Sequence, residues 1–325
     1  MDASSIATRC FAKRTREPRT IGIMSTPDFF CLNPQYSTIR VVSKGRPQVE
    51  TNPFWPRISI VTPSYNQGQF LEKTILSVLN QQYPNLEYMV LDGGSSDNSV
   101  EIIKRYTDKL AYWQSKPDCG QADAIAQGFA MSTGDVLGWL NSDDLLLPGA
   151  LLVAGKTFSN VQRCITVTGR CVRIDGNGCP FTVLVPRKKS WHGMLIWGHG
   201  LSQPATFWRR DAYEEVGGID VSMKFSFDYD LFVRLRKLGN IEILPNYLAG
   251  FRVHPLSKTS TMRSTAFAEH RMVIKRYRNS KLFPLNLFKL LTLARIYLLL
   301  QIRDKIVWQR DKQQIRRLFD GLHTT

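Results

Sequence analysis

A run of buried-strand composition, Asp135-Val136-Leu137-Gly138-Trp139-Leu140, stops abruptly in Asn141-Ser142-Asp143-Asp144. Short apolar runs of this kind read as buried strands, and open α/β sheets bind ligands just outside the carboxyl ends of their strands. A carboxylate in that position is placed to take a hard divalent cation, Mg²⁺ or Mn²⁺. The chemistry this implies is charge neutralisation, with Asp143 holding the ion against the phosphates of a nucleotide-linked donor. The plainer alternative makes Asn141–Asp144 a polar turn before Pro148, since turns favour the same residues. A second carboxylate closes a strand at Asp92-Gly93-Gly94. It can accept hydrogen bonds from a ribose or a base, and its glycines let the backbone approach a ligand closely. An ordinary strand-to-helix turn fits that tripeptide equally well.

These groups need a frame that brings strand ends together. Ile58-Ser59-Ile60-Val61-Thr62 has strand composition and is stopped by Pro63. Leu71, Ile75, Val78 and Leu79 recur at helical spacing and end before Pro84. A strand over 86–91 leads to Asp92, and Val100–Tyr106 reads as a helix with Asp97 as its N-cap. A helix near 121–131 then feeds the strand before Asp143. Strands alternating with helices imply an α/β fold with a largely parallel central sheet covered on both faces. Beyond Pro148 the pattern turns α+β: strands over 164–174 and 181–185 around a Gly-Asn-Gly turn, an aromatic-rich stretch from Trp191 to Trp208, and a helix from about 229 to 238. Helices are predicted over 262–278 and 285–318, broken near Pro284. The organisation that follows is an irregular extension over 1–56, a catalytic body over 57–280 and a basic helical extension over 281–325.

Charge is distributed unevenly along the 325 residues. Residues 1–56 carry eight Lys/Arg against four Asp/Glu, residues 57–250 carry nineteen of each, and residues 251–325 carry sixteen against four. The body is therefore neutral and the flanks hold the whole excess of +16. Basic flanks point to an anionic partner, a membrane surface or nucleic acid. The six cysteines form no C-x-x-C pair and read as scattered reduced thiols in a cytoplasmic protein. The N-terminus has no continuous apolar signal region. No run of eighteen apolar residues is free of charge, so a spanning helix is not expected. Neither G-x-G-x-x-G between strand and helix nor G-x-x-x-x-G-K-[ST] is present.

Four ordered motifs together resemble the family 2 glycosyltransferases: Ile60-Val61-Thr62-Pro63-Ser64-Tyr65-Asn66, Ser77-Val78-Leu79-Asn80-Gln81, Asp92-Gly93-Gly94-Ser95-Ser96-Asp97 and Asn141-Ser142-Asp143-Asp144. The resemblance covers roughly 57–255 and implies the GT-A fold, Rossmann-like and mostly parallel, with a nucleotide sugar as donor. By position it places Pro63, Tyr65 and Asp92 in the nucleotide-base pocket and Asp123 near the ribose and sugar; Asn66, Lys116, Gln121 and Asn141 are further residues expected to bind the nucleotide sugar. It gives the metal to Asp143, joined by His254 in Phe251-Arg252-Val253-His254, since imidazole can complete a mixed nitrogen–oxygen shell. Where the family usually carries an acid, this chain has Asn141, one charge fewer at the site.

Asp228, in Phe227-Asp228-Tyr229-Asp230-Leu231-Phe232, matches the family's general base, which removes the acceptor hydroxyl's proton as it attacks the anomeric carbon. Asp228 also suits a helix N-cap. Asp230 lies about 200° further round a helix, so the two carboxylates are not expected to face one substrate. A cation would neutralise the departing nucleoside diphosphate, with Lys116 or Arg252 assisting. Direct displacement with one base implies inversion, again by resemblance. Trp191, His192, Trp197 and His199 could form an aromatic platform for an acceptor or belong to the core.

The expected partners are a nucleotide-sugar donor, a UDP-sugar first, and a glycan or lipid-linked acceptor. The apolar and basic stretch after Leu285 suits a helix lying on the anionic cytoplasmic face of a membrane, or one packed on its own domain or on a dimer partner. A nucleic-acid partner would rest on the flanks alone and is not expected. The competing class keeps the fold without turnover, as a regulatory nucleotide-sugar-binding protein.

Overall fold

Three strands with every or nearly every residue buried explain why the sequence shows continuous apolar runs and not alternation. They are β1 (Ile58–Ser64), β2 (Leu86–Asp92) and β4 (Val136–Trp139). The computed structural model describes residues 55–277 and 287–323. The expected extension over 1–56 therefore falls almost wholly outside the described residues, and so does the break near Pro284.

With β3 (Tyr112–Ser115), these strands form a parallel block in the order β3-β2-β1-β4. Their connections are α1 (Gly68–Leu79), α2 (Ser99–Arg105) and α3 (Gln121–Met131). The chain leaves β1 toward β2 on one side and returns to β4 on the other, so the crevice at the carboxyl ends of β1 and β4 is the switch point of the sheet. Ser64, Asp92 and Asn141 all lie at that edge. α3 presses closely on the sheet at Gly128, where a Cβ would come 2.6 Å from Val61 Cγ1.

Past β5 (Leu145–Leu146) and α4 (Ala150–Asn160) the sheet continues with mixed directions. β6 (Thr166–Ile174) and β7 (Pro180–Leu184) form the expected hairpin. A short helix α5 (Trp191–Trp197) precedes β8 (Thr206–Arg209), which runs antiparallel to both β4 and β6 and joins the two halves into one sheet. After α6 (Arg210–Glu215) and α7 (Phe227–Leu238) comes β9 (Ile241–Arg252), parallel to β6. Two helices, α8 (Lys258–Thr261) and α9 (Arg263–Tyr277), and the long α10 (Leu287–His323) complete the described chain.

The strands divide their side chains between two cores with period two. Val61, Leu137 and Trp139 face one cluster, with Phe129, Trp208 and Phe232. Ile58, Ile60, Val136 and Leu140 face the other, with Tyr88 and Phe207. In the first, Trp139 and Trp208 meet edge to face at 5.3 Å and Phe232 stacks on Trp139 at 6.4 Å, geometries that aromatic quadrupoles favour. A third cluster brings Ile315 and Phe319 of α10 onto Val172, Ile174, Val183 and Tyr247. There Asp311 accepts hydrogen bonds from Tyr247 Oη at 2.7 Å and Arg170 Nη1 at 3.0 Å. The C-terminal part of the long helix is thus packed on its own sheet, while Ile302 and Ile306 further up are exposed.

Several local expectations are corrected. The strand β9 was not foreseen, because Pro245 and Gly250 interrupt its composition; its pairing with β6 shifts register around Gly169. Asp97 is not an N-cap: Asn98 precedes α2, and Asp97 instead accepts from Ser99 N and Gly68 N, tying α2 to the start of α1. Asp228 is not a cap either, since Ser226 holds that position. Cys164, Cys171 and Cys179 are free thiols. Among the described residues no helix is long and apolar enough to cross a membrane.

Candidate active site

At the switch point lies a cleft of about 940 Å³, a volume suited to a small-molecule ligand. One wall comes from the strand ends: Pro63, Ser64 and Tyr65 after β1, Gly93 and Gly94 after β2, and Asn141, Ser142 and Asp143 after β4. Tyr65 is 62% exposed, leaving its ring face free for a planar ligand. The opposite wall collects residues distant in sequence, among them His199, Gln203, Phe227, Asp228, Arg252 and Lys258. Buried side-chain atoms without partners gather here. Ser64 Oγ, Gln67 Oε1, Arg173 Nε and Arg252 Nη2 all belong to lining residues. Buried polar groups normally find partners, so these atoms are available to a polar ligand.

The turn after β4 is tightly built. Thr74 Oγ1 reaches the carbonyls of Ser142 at 2.9 Å and Asp144 at 2.8 Å, and Arg252 Nε donates to the Asp143 carbonyl at 2.8 Å. With its backbone fixed, Asp143 points its Oδ2 at His254 Nε2, 3.1 Å away. Asp144 turns the other way and is fully buried, accepting from Arg252 N at 2.9 Å and Asn141 Nδ2 at 3.1 Å. Burial, with Asp143 alongside, raises its carboxyl well above the usual range. This explains the departure at position 141: a carboxamide can donate to Asp144 while its Oδ1 accepts from Gln121 Nε2 at 2.6 Å. A carboxylate at 141 could do only the second.

The Asp143–His254 pair fits a divalent ion. Asp143 Oδ2 and His254 Nε2, 3.1 Å apart, are an oxygen and a nitrogen donor that could share one such ion. Among the described residues no group of three or more acidic, histidine or cysteine ligands is found.

Other expected residues sit off the cleft. Asp92 is buried, and its carboxylate already accepts from Gly94 N, Ser95 N, Ser95 Oγ and Ser115 Oγ at 2.5–3.1 Å. It shapes the loop that presents Gly93, and Gly94 needs its positive φ of 84° there. Asn66 bridges to the same loop through Ser96 N. Asp123 accepts from Cys119 N and Gln127 Nε2, fastening the start of α3, and Lys116 is exposed outside the lining. Asp118, missed in the sequence between Pro117 and Cys119, lines the cleft instead, and burial raises its carboxyl. Of the expected aromatic platform only His199 is a lining residue, and the Trp197 side chain lies outside the described ones.

Asp228 and Asp230 separate cleanly. Asp230 is fully buried, held by Arg234 Nη2 at 2.6 Å, Arg276 Nη1 at 3.0 Å and Tyr277 Oη at 3.0 Å. Asp228 opens into the cleft; its Oδ1 accepts from Tyr229 N at 2.7 Å, and Oδ2 has His199 Nε2 at 3.9 Å. Burial pushes its carboxyl up to about 6, with Glu269 adding repulsion and Lys258 and backbone bonds opposing.

Comparison with known proteins decides the family. The model for "Glycosyl transferase family 2" matches residues 59–217. An uncharacterized glycosyltransferase of Mycobacterium tuberculosis is 30% identical over 187 residues, 55% of this chain and 68% of that one. The chain belongs to glycosyl transferase family 2. This family 2 glycosyltransferase is also similar to two solved structures. One is S. aureus TarS 1–349 in complex with UDP-GlcNAc, at a TM-score of 0.53 and 15% identity, covering 68% of this chain and 71% of that one. The other is mannosyltransferase PcManGT from Pyrobaculum calidifontis in complex with GDP-Man and Mn²⁺, at 0.53 and 17%, covering 73% and 69%. At such identities the likeness carries the fold, which is GT-A as expected.

Proposed function

We propose that this family 2 glycosyltransferase moves a sugar from a nucleotide-sugar donor to a hydroxyl of a glycan or lipid-linked acceptor, with a divalent ion and with inversion. The observation carrying the reading is that Asp143, backed by His254, and Asp228 open into one cleft although 85 residues apart in sequence. In this reading Pro63 and Tyr65 contact the base, while Ser64, Gln67 and the backbone at Gly93 meet the ribose. Asp92, Asn66 and Asp123 support these contacts from behind. Asp143 and His254 would hold Mg²⁺ or Mn²⁺, which when bound would supply Lewis-acid charge to offset that of the departing diphosphate. Arg252, with Nη2 unpartnered, adds a fixed positive charge beside it. Asp228 accepts the acceptor hydroxyl's proton from the far wall, and a single base acting in direct displacement gives inversion.

A UDP-sugar is the first donor to try, by resemblance, and the GDP-Man of the mannosyltransferase adds a second class. A peripheral position on an anionic membrane belongs to the same proposal. α9 offers an outer face with Arg263, Phe267, Arg271, Met272 and Lys275 exposed, while its one acid, Glu269, is turned inward to the amides of residues 224–226. Such a face suits anionic headgroups.

The test is a thermal-shift panel of UDP-glucose, UDP-N-acetylglucosamine and GDP-mannose with and without Mn²⁺, followed by donor hydrolysis in wild type and Asp143→Ala. A ligand that binds only the folded state raises its stability. Ion-dependent stabilisation by one donor, lost in Asp143→Ala together with turnover, is expected. No stabilisation by any donor, with both proteins equally inert, overturns the proposal.

A further inference from the structure

His199 enters the cleft with a fixed tautomer. Leu201 N–H donates to His199 Nδ1 at 3.2 Å. A ring nitrogen that accepts carries no proton, so in the neutral imidazole the proton sits on Nε2. Nε2 is the atom that faces Asp228 Oδ2, 3.9 Å away. The ring cannot swing freely, because Phe232 lies 5.3 Å and Tyr229 5.9 Å from its centroid. Asp228 Oδ1 is meanwhile tied to Tyr229 N at 2.7 Å. One oxygen of the carboxylate is thus bound to backbone, and the other faces a single N–H donor.

We propose that His199 is a positioning residue for the base, its Nε2–H closing on Asp228 Oδ2 when an acceptor hydroxyl enters the cleft. Catalytic hydrogen bonds are often long without substrate and tighten in the complex. The contact aims the carboxylate and, because a donor to a carboxylate favours its ionised form, opposes the burial that raises the Asp228 carboxyl. Asp228 takes the acceptor's proton and becomes a neutral carboxyl, while His199 keeps its own. Lys189 and His270 flank His199, and Glu269 and Lys258 flank Asp228. Burial, with Lys189 and His270, pushes the imidazole down to about 3, so it stays neutral through the working range. This inference rests on Asp228 being the base.

The test compares His199→Leu, which keeps apolar bulk and loses the donor, with His199→Gln, which keeps an N–H of similar reach. Donor hydrolysis is followed across pH 5–9 using UDP-glucose, UDP-N-acetylglucosamine and GDP-mannose. The acidic limb of kcat is expected to move up by about one pH unit in the Leu variant, a roughly tenfold loss below the limb that disappears at high pH. The Gln variant should stay close to wild type, and donor KM should change in neither. An unmoved limb, or an equal loss at every pH, overturns the proposal.

A second measurement needs neither turnover nor a folded Leu variant. Long-range ¹H–¹⁵N correlation on wild type labelled at its five histidines, assigned with the Gln variant, should show His199 protonated on Nε2 only from pH 5 to 9. The opposite tautomer, or a ring titrating in that range, overturns it. Wild-type turnover in Asp228→Asn would instead sink the base reading itself, so the two failures are told apart.

Discussion

The two walls of the cleft use their carboxylates in opposite ways. On the strand-end wall most acids are spent on the protein: Asp92 accepts four hydrogen bonds, Asp97 holds two helix starts, and Asp123 fastens a third. Asp143 and Asp118 are the acids of this wall that line the cleft, Asp143 with an imidazole beside its Oδ2 and Asp118 accepting from Gly120 N. On the opposite wall the adjacent acids Asp228 and Asp230 split, one open to the cleft and one locked between Arg234 and Arg276. An acid-rich motif therefore does not identify chemistry by itself. What distinguishes a reacting carboxylate is the number of lone pairs that the fold leaves unclaimed.

The sharpest way to break this contrast is to remove the two acids of α7 separately. Asp228→Asn should lower donor turnover by about 100- to 10,000-fold, the usual contribution of general-base catalysis, with little change in thermal stability. Asp230→Ala should do the reverse, costing about 3 kcal/mol of folding stability because it leaves the largely buried Arg234 guanidinium uncompensated, while Arg276 keeps Asp220. Chemical denaturation and steady-state kinetics on both variants read the two quantities independently. If Asp230→Ala left stability untouched and Asp228→Asn unfolded the protein, the division of roles would be inverted.

Much of the strand-end wall was legible because its signals are local. β1, β2 and β4 are buried on both faces, so their apolar runs stand out, and each terminates in the polar residues that line or support the cleft. The fates of Asp92 and Asp123 were not legible, since hydrogen-bond partners such as Ser115 Oγ and Cys119 N depend on how loops fold back. The opposite wall is assembled from residues 199–204, 225–228 and 251–259, and only tertiary packing brings these together. β9 carries Arg252 into the site, yet its own composition argues against a strand; pairing with β6 supplies what propensity withholds. The long helix shows the same limit. Its pattern suited either a membrane surface or packing on its own domain, and what decides for Asp311, Ile315 and Phe319, docked on the sheet, is partners more than sixty residues away.

Two further measurements sharpen the picture at smaller scale. Asn141→Asp removes the donor to buried Asp144 and sets a second carboxylate facing it, so a loss of about 1–3 kcal/mol in stability is expected. An unchanged melting temperature would mean that Asp144 does not need Asn141. The pH dependence follows from the raised carboxyl of Asp228. As the proposed base it works ionised, so activity should be half-maximal near pH 6, approach its full value above that and fall roughly tenfold per unit well below it. A flat profile from pH 5 to 8 would contradict a single buried base with Glu269 and Lys258 beside it.

The smallest effect tests the spent acids. Asp97 accepts from Gly68 N at 2.9 Å and Ser99 N at 3.0 Å, at the starts of α1 and α2, and does not line the cleft. Those hydrogen bonds hold its carboxyl below the usual range. Asp97→Ala should cost about 0.5–2 kcal/mol, as for a lost helix cap, while kcat at saturating donor stays within twofold of wild type. Because the carboxyl is held low, its contribution is present at neutral pH and lost as pH falls through that depressed value. The stability gap between wild type and Asp97→Ala should therefore narrow on acidification. A variant that melts normally but loses turnover would instead place Asp97 among the reacting groups, and bond-counting would then fail as a guide to which acids on this wall act on substrate.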